Sequence, residues 1–272
     1  MNTSGESMND GAASRTALVV VAHPDDESFG CGSVIATLVR EGLAVIVCCA
    51  TRGEGGHDES IEAAGSRDEL GRRREGELRR ACAHLGVHSV EVLDLADSGW
   101  DGPPPPNALV DRETEAAEAI RSLLRQHRPA VVVTLDPTGS DGHRDHAAIG
   151  KATSAAFHDT VDWPASLYHW CLPCSLMTRW ARTVAATDPD SVYLEQELGR
   201  ADADITTVVD TTAVLDARRL AIAEHRSQTS PFEGLDDDLT LAFLAADHLV
   251  RVAPPWPGGP TERQLLVPPT AP

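Results

Sequence analysis

The stretch Ala17–Glu27 reads ALVVVAHPDDE, and it decides the fold class of the chain. Its first half is a continuous aliphatic run, which is typical of a strand buried on both faces at the centre of a parallel sheet. Pro24 cannot donate to the hydrogen-bond ladder of a sheet, so the strand has to end before it. His23, Asp25 and Asp26 then lie at the carboxyl end of a buried strand, where open α/β sheets bind their ligands.

A second group of polar residues has the same placement. Segment 141–146 reads DGHRDH and follows another aliphatic run, Ala130–Leu135. A single HPDDE turn is explained equally well as a solvated turn that caps a helix starting at Ser28. Two His/Asp clusters, each after a buried strand, instead favour a site in which a cation neutralises the carboxylates.

Strand-like and helix-like segments alternate along most of the chain. Strands are predicted at 44–50, 89–95, 166–172 and 205–209, and helices at 29–41, 66–85, 111–127, 147–158, 213–226 and 239–250. This alternation predicts an α/β fold, Rossmann-like, with a mostly parallel sheet flanked by helices in a single domain. We expect the domain to span residues 16–252, between a disordered N-terminal arm, 1–15, and a loose Pro/Gly-rich tail, 253–272.

The charge of the chain limits its partners. The 272 residues carry a formal net charge of −19 at pH 7. Nucleic acids and anionic membranes both require a basic surface, so neither is expected as a partner. A small-molecule substrate fits this charge, and a homo-oligomer is compatible with it. Because neither an apolar leader nor a membrane-spanning run is evident, we expect a cytoplasmic protein.

The two clusters offer the ligands of a catalytic metal. His23, Asp26 and His146 form a set of two histidines and one carboxylate, which leaves a position open for water, as in catalytic zinc sites. The same set holds non-haem iron(II) in oxygenases. Those oxygenases are usually all-β barrels, whereas this chain alternates strands and helices.

The neighbouring residues suit hydrolysis of an amide or an ester. A zinc ion lowers the pKa of its water to about 7, and Asp25, next to a ligand, can act as the general base. His143 can stabilise the oxyanion as an imidazolium and then protonate the leaving amine. Asp145 can hold one of the imidazoles in its tautomer.

Six motifs in order resemble the LmbE-like family, which includes N-acetylglucosaminyl-phosphatidylinositol de-N-acetylase and the deacetylases of mycothiol and bacillithiol synthesis. The motifs are AHPDDE at 22–27, TRGEGG at 51–56, REGEL at 74–78, DSGW at 97–100, GHRDH at 142–146 and EHRSQ at 224–228. The resemblance covers residues 16–232 and implies a zinc-dependent deacetylase that acts on an N-acetylglucosamine-type amino sugar, with iron(II) as an alternative metal in the cell.

The resemblance also implies roles for single residues. It makes His23, Asp26 and His146 the zinc ligands and Asp25 the base, and it gives His143 the role of electrophile or acid. Asp145 tunes the site. The resemblance also implies that three further residues bind the hydroxyl groups of the sugar: Glu54, Arg74 and Asp97.

Two positions depart from the family pattern Tyr-Gly-His-Pro-Asp-His. Asp141 stands in place of the tyrosine and Arg144 in place of the proline. We expect Asp141 to add negative charge at the rim, where it would bind a substrate that already carries amines, such as an aminoglycoside-like precursor.

Two other functions stay open at this stage. One is an amidase of the same family that cleaves a larger acyl group or a thiol S-conjugate amide. The other is a non-catalytic sugar-binding module, although binding alone does not require Asp25.

Overall fold

The computed structural model describes residues 15–56, 66–194 and 197–268. In these ranges one sheet has seven strands in the order β3-β2-β1-β4-β5-β7-β6. The strands are β1 Thr16–Val21, β2 Ala44–Thr51, β3 Ser89–Leu95, β4 Val131–Leu135, β5 Ser166–Cys171, β6 Thr207–Asp210 and β7 Ala246–Ala253. β1 to β5 are parallel, whereas β7 runs antiparallel to both β5 and β6.

Helices cover both faces of the sheet. They are α1 Asp26–Phe29, α2 Gly32–Arg40, α3 Arg67–Leu85, α4 Glu113–His127, α5 Arg144–Thr160, α6 Cys174–Thr187, α7 Leu215–Ile222 and α8 Asp237–Leu244. α2, α3 and α7 pack together on one face, and α4 and α5 pack together on the other. The predicted α/β class with a mostly parallel sheet is confirmed.

The helix α3 shows why local sequence fixes an element's ends. Ser66 accepts a hydrogen bond from the backbone of Glu69, and the Glu69 side chain returns one to the backbone of Ser66, which makes a capping box. Gly86 ends the helix with φ 78°, a left-handed conformation that glycine adopts at low cost. These signals account for the agreement between α3 and the helix predicted at 66–85.

Two predicted helices are wrong in part. The helix expected at 29–41 is two helices, because the chain turns at Gly30 and Cys31 between α1 and α2. The helix expected at 239–250 ends at Leu244, and the residues from Ala246 onward form β7. Buried and half-buried residues alternate along β7, and this period of two is that of a strand.

Part of the segment predicted as a loose tail packs on the sheet. The Thr207 hydroxyl donates to Glu262 over 3.0 Å, and the backbone N–H of Leu266 donates to the Tyr168 hydroxyl over 2.7 Å. Leu265 between them is buried. Positions 1–14 of the predicted arm and 269–272 of the tail lie outside the described residues. None of the helices in the described ranges is long and apolar enough to cross a membrane.

Candidate metal centre

The two predicted clusters meet at one edge of the sheet. β1 and β4 are neighbours in the sheet, while β2 lies on the other side of β1. The chain connections therefore leave these two strands in opposite directions, which opens a crevice at their carboxyl ends. The HPDDE turn follows β1, and segment 141–146 leads from β4 into α5.

Three side-chain atoms from the clusters face one another. The Nδ1 atom of His23 lies 3.2 Å from Nε2 of His146, and Oδ1 of Asp26 lies 3.1 Å from the same nitrogen. Ligands about 2.0–2.2 Å from a tetrahedral zinc ion lie roughly 3.3–3.6 Å from one another. The other oxygen of Asp26 accepts from the backbone N–H of His23 over 2.8 Å, which fixes the carboxylate.

The outer nitrogen of each histidine faces a carboxylate. Nε2 of His23 lies 3.1 Å from Asp145, and Nδ1 of His146 lies 2.6 Å from Asp141. With protons on these outer nitrogens, each inner nitrogen carries a lone pair instead of a proton. The two inner nitrogens lie 3.2 Å apart, so their lone pairs face each other. Such an arrangement requires a positive charge between them, so the donor set fits a metal ion.

The electrostatics of the pocket lead to the same conclusion. Burial opposes protonation of His23, but Asp97, Asp145 and Asp26 outweigh it and raise its pKa to about 10. Burial also opposes protonation of His146, and there Asp141 and Asp26 raise the pKa well above its usual value. A bound cation meets this demand for positive charge while both imidazoles stay neutral.

Other combinations of donors occur in the described residues. His23 and His146 converge with His143, and on its outer side His23 converges with Asp97 and Asp145. Nδ1 of His143, however, accepts the backbone N–H of Asp145 over 3.1 Å, so its proton is on Nε2. The outer pair of carboxylates instead orients His23.

The hydrogen bond that Nδ1 accepts favours a neutral His143 whose Nε2–H group is free to donate. Burial, followed by His23 and His146, lowers its pKa to about 3. The positively charged His143 expected from the sequence stays a prediction, which the hydrogen bond to Nδ1 does not favour. The Nε2–H group of the neutral ring can still donate a hydrogen bond to a developing oxyanion.

Asp25 lies beside the donor set in a strained conformation. Its φ of 140° is one that residues other than glycine rarely adopt. One carboxylate oxygen accepts a hydrogen bond of 2.8 Å from Arg74. Burial raises the pKa of Asp25 to about 6, and Arg74 opposes that rise. A carboxylate with a raised pKa accepts a proton more readily than an exposed one.

Arg74 lies in the interior of the protein and not at its surface. Its side chain is 3% exposed, and besides Asp25 it donates to the backbone carbonyls of Pro24 and Gly53 over 2.8 and 2.6 Å. Its Nη1 and Nη2 groups thus donate inside the protein, whereas Nε is buried without a hydrogen-bond partner in the described residues. The role in sugar binding expected for Arg74 stays a prediction.

The other predicted sugar-binding carboxylates also have partners inside the protein. Asp97 is buried and accepts from the backbone N–H groups of Gly55 and Gly99 over 3.2 and 2.7 Å. Glu54 accepts the N–H of Asp97 over 3.0 Å. Asp141, expected at the rim, contacts His146. The acidic rim and the amine-bearing substrate expected from Asp141 stay predictions, and the contact with His146 gives this carboxylate a second possible task.

Sequence reasoning missed two features around the site. One is an aromatic wall, defined here as Trp100 and Tyr193, whose ring centroids are 4.6 Å apart. Trp100 also contacts the ring of His143 at 5.2 Å. The other is a buried pair, Glu27 and His225, 2.6 Å apart. The motifs DSGW and EHRSQ contain Trp100 and His225, whereas no pattern in the sequence singles out Tyr193.

Comparison with known proteins gives the family. The family model described as PIG-L, GlcNAc-PI de-N-acetylase, matches residues 18–157. The 1D-myo-inositol 2-acetamido-2-deoxy-alpha-D-glucopyranoside deacetylase of Rhodococcus jostii (strain RHA1) is 34% identical over 267 residues, 88% of this chain and 91% of that protein. The chain belongs to the PIG-L family. The resemblance inferred from the six motifs is confirmed, since PIG-L proteins are the LmbE-like deacetylases.

Solved structures support the fold. The N,N'-diacetylchitobiose deacetylase of Pyrococcus horikoshii matches with a TM-score of 0.59 at 19% identity, over 88% of this chain and 84% of that one. GalB, the 4-carboxy-2-hydroxymuconate hydratase of Pseudomonas putida KT2440, matches with a TM-score of 0.63 at 20% identity, over 90% and 99%. One of these two structures is a hydratase, so the shared fold does not determine the reaction. The reaction has to be inferred from the residues of the site.

Proposed function

We propose that this PIG-L protein is a zinc-dependent hydrolase that removes the N-acetyl group from an N-acetylglucosamine-type amino sugar conjugate. The observation that carries the proposal is the convergence of His23, Asp26 and His146, with Asp25 beside them. The outer nitrogens of both histidines already face carboxylates, so their inner nitrogens are available to a metal.

The donor set supports zinc as the metal. Two imidazoles and one carboxylate form a known catalytic zinc set, with a position left for water or substrate. When bound, the ion would supply Lewis-acid chemistry, lowering the pKa of a water molecule and polarising a carbonyl group. Iron(II) accepts the same ligands, and the experiment below separates the two metals.

The residues around the donor set divide the proton transfers between them. Asp25 takes a proton from the attacking water as the new C–O bond forms, and the carbonyl π electrons move to the oxygen. The Nε2–H group of neutral His143 donates a hydrogen bond to that oxygen. The electron pair of the oxyanion then re-forms the carbonyl group as the C–N bond breaks, and the leaving nitrogen takes the proton that Asp25 received. The products are a free amine and acetic acid, which ionises to acetate by losing its proton to solvent.

The substrate class follows from the family. The Rhodococcus relative is named for an N-acetylated glucosamine joined to myo-inositol. We infer that this chain acts on a small N-acetylglucosaminide whose aglycone is polar. The net charge of −19 favours a small-molecule substrate over nucleic acid, since it repels polyanions.

Release of primary amine from a panel of N-acetylglucosaminides tests the proposal. The protein is stripped with a chelator and then restored with zinc or with iron(II). We expect turnover only after a metal is restored, with zinc sufficient and one mole of acetate per mole of amine. Activity after stripping, or restoration by iron(II) alone, would contradict the zinc assignment.

The same panel tests the alternative functions. Amides with larger acyl groups, including thiol S-conjugates, are assayed beside the acetamides. Release of the bulky acid in preference to acetate would replace the deacetylase by the larger-acyl amidase. Zinc binding with no hydrolysis of any amide would indicate a binding module.

A further inference from the structure

The segment 224–228, EHRSQ, has no part in the proton transfers described above. It follows α7 and is tied to α3 at two points. The Glu224 carboxylate accepts a hydrogen bond of 2.8 Å from Arg80, and the Ser227 hydroxyl donates to Glu77 over 2.5 Å. These contacts hold the segment rigidly beside the HPDDE turn.

His225 points from this segment toward the turn. Its Nε2 atom lies 2.6 Å from Oε1 of Glu27, and both side chains are completely buried. The Phe29 ring packs edge-on against His225, with 5.7 Å between the ring centroids. Oε1 of Glu27 also accepts a hydrogen bond of 2.6 Å from the Ser28 hydroxyl. A buried carboxylate is stable only with such partners, and His225 is the one that comes from outside the HPDDE turn and the residue after it.

Glu27 passes this constraint to Asp25. Its second oxygen, Oε2, accepts the backbone N–H of Asp25 over 3.0 Å. Asp25 has a φ of 140°, and a residue with a Cβ keeps such a conformation only where its surroundings hold it. The hydrogen bond from the Asp25 N–H to Glu27 restrains the backbone of the strained residue directly.

We propose that His225 is a positioning residue, which holds Asp25 in its strained conformation through the buried carboxylate of Glu27. The inference rests on the proposed function, in which Asp25 is the base. His225 contacts Glu27 and Phe29 and does not have to reach the substrate. His225 acts on the Asp25 carboxylate indirectly. It contacts the Glu27 side chain, and Glu27 accepts the backbone N–H of Asp25.

The two contacts that link His225 to Glu27 and Glu27 to Asp25 form a bridge between His225 and the base. This bridge should affect turnover more than substrate binding. A displacement of about 1 Å at a reacting group can cost about 100-fold in rate. The proposed metal ligands are not part of the bridge, so the site should keep its metal when the bridge is broken. A purely structural role for His225 would instead lower stability and leave turnover by the folded protein unchanged.

The matched variants His225→Gln and His225→Asn test the bridge. Glutamine carries an N–H near the position of Nε2, whereas asparagine is one methylene shorter and cannot reach Glu27. We expect H225N to lower kcat by about 10- to 100-fold with KM within about 2-fold, and H225Q to recover to within about 3-fold of wild type. Metal content should be unchanged in both.

Glu224→Gln is the control within the same segment. Glu224 pairs with α3 and not with Glu27, so E224Q should keep the wild-type kcat. Equal losses in E224Q and H225N, or a failure of H225Q to recover, would overturn the proposal in favour of a general loosening of the segment.

A double-mutant cycle with Asp25→Asn shows whether His225 acts through Asp25. If it does, adding H225N to D25N should lower kcat by less than about 3-fold, although H225N alone costs at least about 10-fold. The same loss in both backgrounds would mean that His225 acts by another route, and the proposal would be wrong.

Hydrogen exchange measured by mass spectrometry gives a readout that does not need turnover. Peptides covering 23–29 should exchange faster in H225N than in wild type, whereas H225Q and E224Q should not change them. Unchanged exchange in H225N would overturn the bridge even if the wild-type protein deacetylated nothing. Faster exchange in H225N, together with a wild-type protein that lacks deacetylase activity, would keep the bridge and reject the proposed function. If H225N does not fold, Glu27→Asp replaces it in these experiments, because the shorter side chain breaks the bridge at its other end. The same results would support or overturn the proposal.

Discussion

The centre of the site and its opening are built in opposite ways. In the centre, polar side chains are paired at hydrogen-bond distance: His23 with Asp145 at 3.1 Å and His146 with Asp141 at 2.6 Å. At the opening, the aromatic wall of Trp100 and Tyr193 is held by ring contacts, and Tyr193 is 40% exposed.

This difference separates the reaction from the choice of substrate. Hydrogen bonds between buried charged groups lose their value within a few tenths of an ångström, and an unpaired partner is costly. Ring contacts are weaker and tolerate other geometries. Changes in the centre should therefore alter metal binding and kcat, and changes at the opening should alter KM among substrates.

The largest effect is expected from removing a proposed ligand. His146→Ala should lose the metal and at least about 1,000-fold in kcat, because the ion contributes several kcal/mol of transition-state stabilisation. Metal content by mass spectrometry and amine release measure both quantities. The exposed His158→Ala should change neither. An H146A protein that retains one equivalent of metal would show that the ligand set is wrong.

Asp25→Asn should separate metal binding from proton transfer within the centre. The amide cannot accept the proton of the attacking water, so kcat should fall by about 100- to 10,000-fold while the metal stays bound. Steady-state kinetics on the protein with zinc restored measure this loss. Full activity in D25N would remove Asp25 from its role as base.

The centre also shows which parts of a site a sequence can predict. β1 and its HPDDE turn are local features, because an aliphatic run and a proline define where the strand ends. The convergence of His23 with His146 follows once the sheet is parallel, since the carboxyl ends of neighbouring strands share one edge. These steps need only patterns along the chain.

The inward-facing contacts could not be predicted in the same way. Arg74 and Asp97 were expected to face the substrate, but their partners, Asp25 and His23, come from other segments. Which way a polar side chain turns depends on the tertiary partner that satisfies it. The aromatic wall has the same origin, because Tyr193 meets Trp100 only after α6 has packed on the domain.

Asp141→Asn distinguishes the centre from the rim. If Asp141 orients His146, the substitution should weaken metal affinity by about 10- to 100-fold, as for other carboxylates behind a metal-binding histidine. Competition with a chelator measures that affinity. If Asp141 instead bound cationic substrates at the rim, KM for those substrates would rise and metal affinity would stay the same. Asp101→Asn, at an exposed acid nearby, is the matched control.

The smallest effect is expected at the opening, where Tyr193→Ala and Tyr193→Phe form a matched pair. Removal of the ring should raise KM for N-acetylglucosaminides with aromatic aglycones by about 2- to 10-fold, the range of one aromatic contact. KM for a methyl glycoside should change little, and kcat should stay near wild type. Y193F keeps the ring and should behave as wild type.

The phenylalanine variant decides whether the wall acts through its rings. Burial, followed by Asp25, raises the pKa of the Tyr193 hydroxyl, so this group stays protonated at neutral pH. If the wall only packs against the aglycone, removal of that hydroxyl leaves both kcat and KM unchanged. A loss of kcat in Y193F would mean that the hydroxyl takes part in the reaction. The opening would then belong to the catalytic centre, and the separation between the two regions would fail at Tyr193.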